Sequence, residues 1–102
     1  MECVIKTIGV NESYCVYKDI FIQKIKKMMD WTKGVELAKT PVVEINEDRS
    51  NIAIKVDFYI EDFSQLNNVV NYANKEIENI VEALISTKPS NIQLFCLGEK
   101  NN

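Results

Sequence analysis

The chain contains no histidine, so it lacks the side chain that most often moves protons near neutral pH. Its three cysteines, Cys3, Cys15 and Cys96, lie far apart in sequence with no Cys-x-x-Cys spacing. Without histidine they fall a ligand short of a structural zinc site and have no imidazole to draw off a thiol proton. Free thiols in a reducing compartment are expected, with Cys96 buried and inert between Phe95 and Leu97. Glycine is confined to Gly9, Gly34 and Gly98, too sparse for a phosphate-cradling loop. No apolar run approaches the roughly 18 residues of a membrane-crossing helix, and no signal-like segment opens the chain. These absences predict a cytoplasmic protein with no direct membrane insertion, no bound cofactor and no metal.

Positive charge is also scarce where nucleic acid would need it. The net charge is −3, divided between +2 over residues 1–40 and −5 over residues 41–102. Phosphate neutralisation supplies most nonspecific nucleic-acid affinity, so no nucleic-acid partner is expected. The lysines Lys18, Lys24, Lys26 and Lys27 form the one basic cluster. Projected on a helix, the face opposite the apolar stripe holds Asp19, Gln23, Lys26, Lys27 and Asp30, which is formally neutral. Lys18 and Lys24 flank the stripe, where long stems lie over apolar surface. The four are weak candidates for an anionic contact, and a solvated helix face is the simpler reading.

What the chain does have is pattern. At 102 residues it makes one domain. Ile52, Ile54, Val56, Phe58 and Ile60 recur at every second position, the period of a strand with one buried face. Phe63, Leu66, Val70, Ala73, Ile77, Ile80, Val81, Leu84 and Ile85 share one face of a helix that starts near residue 63 and stops before Pro89. Residues 92–97 then form a closing strand. Upstream, residues 2–9 read as a strand and Gly9 with Asn11 as a turn. Tyr17, Ile20, Phe21, Ile25, Met28 and Met29 mark a helix over 16–31, and residues 42–46 a strand after Pro41. This strand-helix-strand-strand-helix-strand order predicts an α+β two-layer sandwich of ferredoxin-like type, with both helices on one face of an antiparallel sheet.

The carboxylates offer little chemistry. A pair does acid–base work only when its environment splits the two pKa values, and Asp62 has a simpler task as a helix cap, with Gln65 completing a capping box. Glu47 and Asp48 belong to a polar loop that lacks the dense oxygen pattern of a calcium site. An enzyme is not expected. The outer face of the sheet is different. Two helices cannot cover both faces of four strands, and there Tyr59, Phe95 and Leu97 form an apolar patch suited to a protein contact. Unless Trp31 or a terminus covers it, the patch favours a homo-oligomer, with pairing of an edge strand as an added contact.

From Gly34 to Gly98 the chain resembles the alkaline shock protein family, envelope-stress proteins of low-GC Gram-positive bacteria. The resemblance rests on Gly34-Val35, the strand IAIKVDFYI, the helix NNVVNYANKEIENIVEALI and the closing strand SNIQLFCLG; residues 2–33 match more loosely. It implies a non-enzymatic cytoplasmic protein that associates with itself and reaches the membrane through a membrane-anchored partner. A small ligand-sensing or regulatory module of ferredoxin-like type is the alternative.

Overall fold

In the computed structural model, which describes residues 2–100, alternation becomes sheet where the sequence is most regular. β1 (Cys3–Thr7) and β2 (Ser13–Tyr17) form a hairpin, followed by α1 (Lys18–Trp31), β3 (Val35–Leu37), β4 (Val42–Ile45) and β5 (Ile52–Ile60). A 3-10 turn at Phe63–Gln65 leads into α2 (Leu66–Ile85), and β6 (Asn91–Glu99) closes the fold. Met1, Asn101 and Asn102, part of the expected 1–102 domain, lie outside the described residues.

β5 is the central strand. β6 lies along it in parallel from Ala53 to Ile60. β3 and β4 therefore share its other edge, one after the other and both antiparallel to it. The even row of β5 is at most 2% exposed, and it packs with Phe21, Ile25 and Met29 of α1 and Ala73, Ile77, Val81 and Ile85 of α2. Both helices thus lie on one face, and the two-layer α+β architecture holds.

The ferredoxin-like order does not. The sheet is mixed, because β5, α2 and β6 form a strand–helix–strand unit whose two strands are direct neighbours. A 20-residue helix is about 30 Å long, close to the length of a nine-residue strand. α2 therefore returns the chain to the starting end of β5, and the next strand pairs in parallel. The ferredoxin-like order would insert the first strand between these two. That strand is engaged elsewhere, for β1 pairs with β2 from Cys3↔Tyr17 to Thr7↔Ser13. The spacing predicts a helix from residue 16, but Val16 and Tyr17 belong to β2 and α1 begins only at Lys18.

The hairpin is fastened at its base. Val4 and Val16 join the core, the Ile5 N–H donates to Arg49 O at 2.9 Å, and the Tyr14 hydroxyl donates to Leu84 O at 2.9 Å. The far end carries Ile8 and Val10, both exposed, on a molecule measuring 55 × 23 × 20 Å. α2 ends at Ser86, whose left-handed backbone (φ 59°) closes the last turn by donating to Glu82 O. Helices commonly stop on such a residue.

Candidate interaction surface

The odd residues of β5 build the outer face of the sheet. Ala53, Lys55, Asp57 and Tyr59 point away from the helices, bordered by Val42, Glu44 and Glu36 on one side and by Gln93, Phe95 and Leu97 on the other. Phe95 stands opposite Asp57, and Tyr59 stands opposite Gly98. Between them the register slips by one residue, and Leu97 becomes the unpaired residue of a β-bulge. Gly98 at φ 153° fits this bulge, since side-chain-bearing residues rarely adopt that backbone.

Phe95 is 41% and Leu97 51% exposed, so no other described residue covers them. Tyr59 is only half-buried and forms the inner margin of the patch. Two ion pairs fence it: Lys39 with Asp57 at 3.4 Å and Lys100 with Glu36. The result is a small apolar centre with a charged rim, the usual anatomy of a protein contact.

Trp31 is elsewhere. It ends α1 on the helical layer and is 82% exposed. With Lys24, Lys27 and Met28 of α1 and Tyr72, Glu76 and Ile80 of α2 it lines an open groove of ≈ 360 Å³. The aromatic content of this groove is not visible in the sequence. Trp31 reads as a helix end, Tyr72 is off the apolar stripe of α2, and only the crossing of the two helices brings them together.

The four lysines do not act as one patch. Lys18 pairs with Glu2 at 2.8 Å, and that contact holds the Glu2 carboxyl below its ordinary pKa. Lys26 pairs with Asp30 at 3.8 Å. Lys24 and Lys27 have no ion-pair partner among the described residues and border the Trp31 groove.

The thiols are partly as expected. All three are free, but Cys96 is half-buried rather than buried, because the edge position of β6 leaves its inner row incompletely covered. Its Sγ lies 3.8 Å from Gly98 O. Cys3 and Cys15, distant in sequence, come onto one face of the β1–β2 hairpin. The neighbouring Cys3 side chain, with burial, raises the Cys15 pKa by favouring its neutral thiol, which works against thiolate formation. Asp62 does cap, but it caps the 3-10 turn. Its Oδ1 accepts from the Ser64 N–H at 2.9 Å, which lowers its pKa. The capping box is half made, since Gln65 Oε1 accepts from Asn68 instead.

Among the described residues no three His, Cys, Asp or Glu side chains gather where they could hold a metal ion, and no helix is long and apolar enough to cross a membrane. Compared with models of known protein families, with curated proteins and with solved structures, the chain matches none.

Proposed function

We propose that the protein is a non-enzymatic interaction module that associates with itself through the outer sheet face around Tyr59, Phe95 and Leu97. The observation that carries this reading is the exposure of Phe95 and Leu97 side by side on a face that neither helix covers. A contiguous exposed apolar patch with a polar rim is the arrangement that marks a protein contact. Following the resemblance to alkaline shock proteins, the assembled form works in cell-envelope homeostasis and docks on a membrane-anchored protein, which keeps it cytoplasmic at the membrane periphery.

Light scattering and sedimentation of the wild type and of Phe95→Ser with Leu97→Ser test the first part. The wild type should be oligomeric, and the double variant a folded monomer with an unchanged circular dichroism spectrum. A wild type that stays monomeric at high concentration refutes self-association. For the second part, the oligomer should sediment with membranes of the source organism and be released when those membranes are stripped of protein by protease. Equal binding to protein-free anionic vesicles refutes a protein partner.

A further inference from the structure

The two edges of the main sheet are unlike. One is made of β3 and β4, three and four residues long, with Lys39 and Pro41 in the break between them. Short strands, lysine and proline are the devices that blunt an edge. The other edge is β6, nine residues long and paired only with β5 among the described strands. From Asn91 to Gly98 it carries no charged residue and no proline, and the guard within that span is the bulge at Leu97.

Which backbone groups of β6 lie open follows from the ladder. The Ala38 N–H bonds to Asp57 O and the Asn46 N–H to Asn51 O, so the odd residues of β5 turn their backbone toward β3 and β4. The even residues turn toward β6, as the Lys100 N–H to Ile60 O bond at 2.6 Å confirms past the bulge. With Ile54 opposite Ile92 and Val56 opposite Leu94, parallel pairing uses the backbone of Asn91, Gln93 and Phe95. Ile92, Leu94 and Cys96 therefore present their N–H and C=O groups at the free edge. Their side chains form the inner row of β6, and all three are only half-buried.

We propose that a second copy of this chain occupies that edge, β6 pairing antiparallel with its counterpart about a two-fold axis at Leu94. The proposal rests on the self-association reading above and adds the β6 edge as a second seam beside the outer-face contact. In this register Leu94 meets Leu94 and Ile92 meets Cys96 of the other copy, so apolar residues face apolar ones along the whole inner row. Phe95 meets Gln93 and Leu97 meets Asn91 on the outer side. Glu99 falls beyond the paired segment, so no like charges are opposed. Every open backbone group of Ile92, Leu94 and Cys96 finds a partner, and the Phe95 and Leu97 strips of both copies join into one surface. A self-complementary edge under a two-fold axis is filled by one partner, and the joined Phe95 and Leu97 surface remains available for the outer-face contact.

Cysteine scanning of β6 tests the register. In the full chain with Cys3→Ser, Cys15→Ser and Cys96→Ser, single cysteines are placed at positions 92 to 97 and mildly oxidised. Directly opposed residues of an antiparallel hydrogen-bonded pair have Cα atoms about 5.5 Å apart, within disulfide reach. Leu94→Cys should therefore give the most covalent dimer. A second measurement needs no substitution: amide exchange of wild-type Ile92, Leu94 and Cys96 should slow by about tenfold or more as the protein is concentrated into its oligomer. An oligomer in which these amides stay fast, or in which cross-linking peaks at Phe95→Cys or Leu97→Cys, overturns the edge seam while leaving face-to-face association standing. A wild type that is monomeric by sedimentation removes the reading beneath it as well. Slow exchange that appears only when a different protein is bound also overturns the proposal, because the edge would then belong to that partner.

Discussion

β5 and β6 are the same length, alternate with the same period and run side by side in the same direction, yet they fare very differently. The even row of β5 is buried to 2% or less, and its neighbours use both of its edges. Every apolar residue of β6 keeps some exposure, Ile92, Leu94 and Cys96 toward the helices and Phe95 and Leu97 away from them. Alternation shows which residues share a face, but the number of neighbouring strands decides how dry that face becomes. A central strand is held by burial, and an edge strand of the same length and alternation keeps apolar surface free for a contact.

The largest effect that would sharpen this contrast comes from Phe58, which is 1% exposed at the middle of the core. Phe58→Ala should cost about 3–5 kcal/mol, the range for emptying a buried aromatic site, read as the loss of free energy in urea unfolding. Leu94→Ala removes a half-buried side chain and should cost about 1–2 kcal/mol at protein concentrations where the chain is monomeric. If Leu94→Ala were as damaging as Phe58→Ala, β6 would belong to the core and the difference between the strands would vanish.

Phe95 should behave in a third way. Its side chain faces solvent in the single chain, so Phe95→Ala should change monomer stability by no more than about 0.5 kcal/mol. Wild-type stability should rise with protein concentration, because association favours the folded state, and Phe95→Ala should weaken that dependence. A concentration-independent wild-type melting temperature would break the link between exposure and contact.

How much of this was legible in the sequence follows the same division. The limits of β5 agree with its period-2 run because that pattern has no helical counterpart. The long helix near 63–86 is a 3-10 turn followed by α2, and β4 and β6 differ from expectation by a residue or two at their ends. Where two periods coincide, the reading failed. Val16 lies four residues before Ile20 and so extends the helical stripe of α1, but it also alternates with Tyr14 in SYCVY, and the strand prevails because β1 lies alongside. β3 has three residues, too few to show any period. Parallel pairing of β6 and the meeting of Trp31 with Tyr72 depend on how elements pack, which no local window contains. Tyr59, Phe95 and Leu97 can be placed on the outer face from the sequence because alternation names both faces of a strand. Their unequal exposure depends on the bulge at Leu97–Gly98, which alternation does not mark.

The smallest effect concerns the junction between the two strands, where Asp62 starts the turn into α2. Its carboxylate accepts from the Ser64 backbone N–H, which lowers its pKa from the ordinary 3.8. A group whose folded-state pKa is depressed stabilises the fold above its unfolded pKa, and that contribution fades as pH falls through the folded value. The Asp62 contribution should thus be complete at neutral pH and decline below about pH 4. Asp48, held low by Ser50, and Glu2, held low by Lys18, decline in the same acid range, so the wild type alone cannot isolate it. Asp62→Asn keeps a side-chain oxygen for the Ser64 N–H but has no charge to lose. Its melting temperature should lie a few degrees or less below that of the wild type at pH 7, with the gap closing as the pH is lowered toward 3. Because the carboxylate is exposed, a large gap would mean that Asp62 bears on more than the turn. A gap that widened in acid would reverse the sign of its contribution.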